Sequence, residues 1–313
     1  MGNSDMAPRR LMNQREQVMA GIFWAMAFSL LLVWTPSVLA QVCAKDDRDR
    51  TVCLDQPATR IAALSPGATE LVWAAGAGEQ VVAVVDYSDY PPAAKAVPKV
   101  GSHTRLDMER LLQLQPDLVI AWVTGNPAEQ VQMLKDLGLP VFSIEPRSFE
   151  AVSDTIERLA TLAGTETDGF VEADRFRRGI AELREQYASA EPVPVFYQVW
   201  DEPLMTVNDE HLIGEMIQLC GGDNIFGELE RLVPRISTEA VVTGNPEAIL
   251  AGGMGEENRH WLTRWEAFPE LKATKQDNLF FIPPSLVQRP TPRMLEGTRL
   301  FCEKLEVARG RRD

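Results

Sequence analysis

Histidine is scarce: only His103, His211 and His260 occur in 313 residues, and none are spaced as a zinc-protease pair. There is no Gly-x-Ser-x-Gly elbow for a serine nucleophile and no Walker-type phosphate loop. Gly76-Ala-Gly78 follows a helical stretch, where a dinucleotide fingerprint must follow a strand, so it reads as a helix stop. Positive charge is also short, with 31 Lys and Arg against 45 Asp and Glu and a net charge of −14. That acidity argues against nucleic acid and anionic membrane as partners. A hydrolytic carboxylate pair is compatible with it, yet nothing singles one out.

Cysteine is limited to four residues, none with the Cys-x-x-Cys spacing of a metal site. In an exported chain four cysteines suggest two disulfides, and three pairings are open. Cys43–Cys53 is favoured because Asp46-Asp-Arg-Asp49 between them looks like a hairpin tip. Cys220–Cys302 then remains, tying two helices of the second half. Export is read from the N-terminus. Arg9, Arg10 and Arg15 precede the uncharged run Val18 to Trp34, and Val38-Leu-Ala40 supplies a small-residue cleavage site before Gln41. An uncleaved anchor is the competing reading, since the run is nearly long enough to span a bilayer. Val42 ahead of Cys43 is not the small residue a lipoprotein needs, so no lipid anchor is expected.

What the chain does have is alternation of helix and buried strand. Within Leu106 to Trp122, a short helix carries Met108, Leu111, Leu112 and Leu114 as its apolar residues. Pro116 stops it, and Leu118 to Ala121 is the apolar run of a strand buried on both faces. The same order of helix, proline and strand returns from Glu239 through Pro246 to Ala251. Glu109 to Pro116 and Glu239 to Pro246 are both seven residues apart. Too long for a solenoid unit, this repeat predicts an α/β fold of two similar Rossmann-like lobes.

The predicted organisation is a signal peptide (1–40), an N-terminal hairpin (41–58), a first lobe (59–164), an interlobe helix (165–190) and a second lobe (191–313). Within it, strands are expected at 60–64, 81–85, 139–144, 193–200, 248–251 and 279–282, and helices at 69–75, 129–137, 153–162, 211–220 and 293–305. The charged helix 166–187 reads as a rigid spacer between the lobes, with an ordinary covering helix as the alternative.

In open parallel sheets ligands lie beyond the carboxyl ends of strands. Tyr87, Trp122 and Trp200 fall at such ends, with Met205 soon after, which suggests a shared apolar cleft. His103, in the loop before the central helix, is a candidate axial ligand to the metal of a bound cofactor, or a stacking group. Of Arg289 and Arg293, one is expected to contact ligand and the other to pair within the lobe. Glu109 and Glu239 would ordinarily be solvated helix residues. Their equivalent placement raises a docking role on the arginines of a two-fold partner.

Leu64-Ser-Pro-Gly-Ala-Thr-Glu-Leu71, Tyr87-Ser-Asp-Tyr-Pro-Pro92, Pro116-Asp-Leu-Val-Ile-Ala-Trp122 with Gly125-Asn126, and Leu219-Cys-Gly-Gly-Asp-Asn-Ile-Phe226 together carry a resemblance. The chain resembles the periplasmic substrate-binding proteins of cobalamin, haem and ferric-siderophore importers, most closely the cobalamin-binding type, from about Arg60 to Leu305. The resemblance implies a monomeric, non-catalytic protein of two lobes joined by one long helix. It would hold cobalamin or a related corrinoid edge-on as transported ligand and deliver it to the permease dimer of an ABC importer. It implies ligand contacts at Pro66, Gly67, Tyr87, Trp122, Met205 and Arg289, to which the strand-end argument adds Trp200 and the loop argument His103. It places Glu109 and Glu239 on the paired permease-docking glutamates and Cys220 and Cys302 on the second-lobe disulfide. His103 stands where that pattern has tryptophan, Met205 where it has phenylalanine, and Ser285 where it has aspartate. Haem or a ferric siderophore is the alternative ligand. An exported enzyme acting on a bulky ligand is the alternative from another class.

Overall fold

The computed structural model describes residue 2, residues 41–253 and residues 255–312. Gly2 apart, the expected signal segment 1–40 lies outside the described residues. Two antiparallel strands come first, β1 (Val42–Lys45) and β2 (Thr51–Leu54), with Cys43 opposite Cys53 in register and joined to it by a disulfide. The acidic tip folds back because the buried Asp46 carboxylate accepts the amides of Arg48 and Arg50.

The first lobe runs β3 (Ile61–Ala63), α1 (Pro66–Ala74), β4 (Val81–Val84), a small antiparallel pair β5 (Gly101–Ser102) and β6 (Arg105–Leu106), α2 (Met108–Gln113), β7 (Leu118–Trp122), α3 (Ala128–Asp136), β8 (Val141–Ile144) and α4 (Phe149–Ala163). Helix α5 (Glu166–Tyr187) leads to the second lobe. That lobe runs β9 (Val193–Gln198), α6 (Leu212–Leu219), β10 (Gly222–Asn224), α7 (Thr238–Gly244), β11 (Ala248–Ala251), α8 (His260–Glu266), α9 (Lys272–Lys275), β12 (Leu279–Phe281), α10 (Pro284–Val287) and α11 (Met294–Gly310). Each lobe has a four-stranded parallel sheet, in the orders β4-β3-β7-β8 and β10-β9-β11-β12. In both, the second strand lies outside the first and the third and fourth lie on its other side. Chain direction along the sheet therefore reverses between β3 and β7, and again between β9 and β11, which makes these the switch points where ligands collect.

Local chemistry sets the element ends. Helix α1 starts at Pro66, three residues before the expected Thr69, because the Ser65 side chain accepts the Ala68 amide at 3.0 Å. Proline is tolerated in that first turn, whose amides have no helical partner. Ser148 caps α4 through the Ala151 amide, so that helix starts at Phe149 rather than Ser153. Strand β9 stops at Gln198, and Trp200 lies past it, bridged in antiparallel fashion to Met205.

The interior explains how the lobes stay together. Leu118 to Ala121 is buried on both faces of its sheet, each large apolar side chain contributing roughly 1.5–3 kcal/mol. One face of each sheet has its own cluster, around Val119 and Leu111 in the first lobe and around Phe196 and Trp265 in the second. The other faces share one continuous apolar cluster, running from Ile61 and Phe142 through Phe149 and Phe176 to Leu295 and Phe301. Helix α5 is part of that shared core, not a bare spacer. Arg177 pairs with Glu150, Asp154 and Glu157 of α4, while Gly179 receives Leu295 of α11 and Arg184 pairs with Glu215 of α6. Cys220 and Cys302 are joined, fixing the end of α6 to α11.

Candidate ligand-binding cleft

At the first switch point, Trp122 ends β7 and is followed by a tight loop. A Cβ on Gly125 would stand 1.8 Å from Trp122 Cε3, so only glycine lets the indole lie over this backbone. Asn126 then organises three segments. Its side-chain amide donates to Leu64 O at 2.8 Å and His103 O at 2.9 Å, and its oxygen accepts the Trp122 amide at 2.7 Å. His103 is thereby held at the turn of the β5–β6 hairpin, its ring centroid 5.8 Å from that of Trp122. The sequence showed only a loop there. Two-residue strands flanking a turn have no periodicity to detect.

A cavity of about 300 Å³ opens between the lobes. The first lobe contributes Trp122, Thr124, Glu145 and Arg147, and the second contributes His211, Leu232, Val233, Gln288 and Pro290. Thr124 is fixed by Glu145, which accepts its amide at 3.0 Å and its hydroxyl. The N-terminal hairpin supports this wall, since Asp47 accepts the Glu145 amide and Arg48 donates to Val123 O.

His211 caps α6, its Nδ1 accepting the Ile213 amide at 3.0 Å. Burial, reinforced by the Arg147 charge across the cleft, pushes its imidazole down to about 4. It is therefore neutral near pH 7, with its proton on Nε2.

The expected ligand residues distribute unevenly around this space. Trp122 lines the cavity and His103 stands beside it. Tyr87 is 73% exposed, in a shallow depression with Asp86, Asp89, Lys95 and Lys99. Its φ of 64° is a left-handed conformation that bulky residues rarely adopt. Pro66 and Gly67 open α1 facing the second lobe, where a Cβ on Gly67 would lie 3.9 Å from Thr291 Cγ2. Trp200 packs edge-on against Trp261 and donates its indole N–H to Glu202 O at 3.0 Å, with Met205 half-buried beside it.

Arg289 is committed to protein contacts, bonding Glu70 at 2.8 Å and Asp89 at 2.9 Å on the first lobe. Its neighbours Gln288 and Pro290 reach the cavity wall. Arg293 also crosses to Glu70 at 3.7 Å and lies over the Tyr90 ring, where one of the two arginines was expected to pair within its own lobe. Burial pushes the Glu70 carboxyl above its usual range, outweighing its bonds from Arg289 and Thr291. At Asp89 burial acts the same way, but the Arg289 bond and charge prevail and hold its carboxyl low.

Sequence reading missed His211, Leu232, Val233 and Gln288. Only the adjacent apolar pair Leu232-Val233, in a stretch rich in charge, offered a signal. Ser285, where the family pattern has aspartate, is buried and donates to Glu256 at 2.7 Å. Glu109 and Glu239 are both exposed, each in the first turn of the helix preceding the third strand of its lobe. The Glu239 backbone amide and the Ser237 hydroxyl hold the Glu239 carboxyl below its usual range. Among the described residues, no group of three or more His, Cys, Asp or Glu is placed to hold a metal ion, and no helix is long and apolar enough to cross a membrane.

Two lobes of the same sheet order, with a cavity lined from both, are the architecture of a substrate-binding protein. The chain belongs to the periplasmic binding protein family, whose model matches residues 61–286. It is 37% identical over 252 residues to the vitamin B12-binding protein of Vibrio cholerae, covering 80% of this chain and 91% of that one. The crystal structure of the periplasmic vitamin B12 binding protein BtuF of Vibrio cholerae matches with a TM-score of 0.73, over 81% of this chain and 98% of that one. The periplasmic heme-binding protein RhuT of Roseiflexus sp. RS-1 matches with a TM-score of 0.71 at 24% identity, over 80% of this chain and 98% of that one, a likeness of fold alone.

Proposed function

We propose that this protein captures cobalamin, or a related corrinoid, between its lobes in the periplasm and delivers it to an ABC importer without chemistry of its own. The observation that carries this reading is the 37% identity to a vitamin B12-binding protein across 80% of this chain and 91% of that one. The cleft is consistent with it. An indole, an imidazole and aliphatic side chains offer apolar contact to a macrocycle, while Thr124, His211 and Gln288 offer hydrogen bonds to its amides. A cavity of about 300 Å³ is at the small end for ligand pockets, so a corrinoid would be gripped along one edge.

In this reading Pro66, Gly67, Tyr87, His103, Trp122, Trp200, Met205 and Arg289 border the ligand. Glu109 and Glu239 dock on the permease dimer, a role supported by their equivalent exposed positions. The binding protein works as a monomer, and residues 1–40 act as a cleavable export signal. Calorimetric titration of the chain from Gln41 onward with cyanocobalamin, haemin and a ferric siderophore tests the ligand. Tight one-to-one binding of cyanocobalamin alone is expected, and its absence would refute the corrinoid reading. His103 beside Trp122 favours haem as the second reading, in which His103→Ala would abolish a haemin spectral shift.

A further inference from the structure

Glu70 is a buried carboxylate whose side-chain partners among the described residues all belong to the other lobe. It sits in α1 of the first lobe with its side chain 2% exposed. One oxygen takes Arg289 Nη1 at 2.8 Å and has Arg293 at 3.7 Å, and the other accepts the Thr291 hydroxyl at 2.7 Å. These three residues lie on the segment between α10 and α11 of the second lobe. The same segment packs Pro290 and Thr291 against Gly67, which opens α1.

Arg289 extends the connection. While bound to Glu70 it also binds Asp89 at 2.9 Å and donates to Tyr87 O at 3.3 Å. Tyr87 has the left-handed backbone noted above, a conformation that persists only where its surroundings impose it. Its ring is exposed, so the restraint on this residue comes through its backbone. Arg293, stacked 4.3 Å over the Tyr90 ring, grips the other end of the same loop.

We propose that Glu70 is a positioning residue for the cleft: through Arg289 it clamps the second lobe to the first and fixes the Tyr87–Asp89 loop. A dry carboxylate satisfied from across the lobes resists any separation that would leave it unpaired. The clamp therefore sets both the gap between the lobes and the posture of Tyr87. Its effect on affinity rests on the corrinoid reading, but its effect on the gap does not.

The test uses spin labels at Glu129→Cys in α3 and Glu266→Cys in α8, both exposed, in the chain from Gln41 onward. Pulsed-dipolar distances are compared among Glu70, Glu70→Gln, Arg289→Gln and the double variant, alongside cyanocobalamin titrations. Glu70→Gln keeps the shape and can still bond Thr291, but loses the charge that orders Arg289. We expect a narrow distribution in the parent and a broadened one in each single variant, with the double variant no broader than the worse single. We also expect affinity to weaken by about tenfold in Glu70→Gln, in line with losing one charge-assisted bond. Unchanged distances in both single variants overturn the clamp. Should Glu70→Gln fail to fold, Arg289→Gln decides by the same distance criterion. Failure of the parent to bind cyanocobalamin would refute the corrinoid reading while leaving the distance result to judge the clamp.

Discussion

Asn126 Nδ2 lies 2.9 Å from His103 O, so the turn carrying His103 is tied to the loop that follows Trp122. The same amide group holds Leu64 O, and its oxygen holds the Trp122 amide. One buried side chain thus sets the geometry of the first-lobe wall. Asn126→Ala removes all three bonds and leaves Leu64 O and the Trp122 amide without these partners. A loss of about 2–4 kcal/mol in urea unfolding is expected, with weaker ligand capture. Asn126→Asp keeps the acceptor for the Trp122 amide but turns a carboxylate oxygen towards two carbonyl oxygens, so near pH 7 it should be at least as destabilising as alanine. A loss below about 0.5 kcal/mol for alanine would show that water replaces these bonds without cost.

Gly125→Ala acts on Trp122 alone. The added methyl occupies the space of the indole and must displace it. The tryptophan emission should shift and cyanocobalamin affinity should drop by about tenfold or more, with a smaller effect on stability. A variant with parental emission and affinity would mean that the loop yields instead of the ring.

His211 predicts a pH dependence. Its folded value of about 4 lies below the ordinary 6.5, so on acidification the unfolded chain takes up this proton first. Its contribution to stability is present above pH 6.5 and is lost as pH falls towards 4. The slope reaches up to about 1.4 kcal/mol per pH unit. Asn keeps a capping acceptor without titrating in this range, so His211→Asn should be less sensitive to acid. Parallel stability curves for the two proteins between pH 7 and pH 4 would contradict this assignment.

The two disulfides should differ in weight. Cys220–Cys302 closes a separation of 82 residues and Cys43–Cys53 one of 10. On chain entropy alone, paired Cys→Ala replacement should cost about 4.5 kcal/mol for the first and about 2.7 kcal/mol for the second. Thermal unfolding of the two double variants checks the order, and a reversed order would mean that loop length does not govern what each bridge contributes.

Charge reversal of Glu109 and Glu239 together should abolish complex formation with the permease while leaving ligand titrations unchanged. Neither side chain is buried, so folding should be unaffected. Retained complex formation, measured by co-purification in detergent, would remove the docking role.

Much of the fold was legible because its signals are local. The apolar run Leu118 to Ala121, the stop at Pro116 and their counterparts at Ala248 and Pro246 are one-dimensional features with one structural solution each. The equivalence of Glu109 and Glu239 followed from the same spacing, and the pairing of Cys43 with Cys53 from the hairpin tip. Helix starts fall three or four residues earlier than expected, at Pro66 and Phe149, because Ser65 and Ser148 cap them.

The site divides in the same way. Trp122 was expected in the cleft because a strand end is visible in sequence, and it lines the cavity. His211, Leu232, Val233 and Gln288 were not, since each reaches the cavity only when the second lobe folds over the first. Arg289 was read as a ligand contact, yet its guanidinium engages Glu70 and Asp89, about 200 residues away in sequence. The sequence by itself determined two alternating lobes, their duplicated helix–proline–strand unit and the residues at their strand ends, because hydrophobic period and proline act over a few residues. Only the tertiary structure decided which charges pair across the lobes and which side chains meet in the cleft. Burial and ion pairing depend on distances in space that the order of residues does not contain.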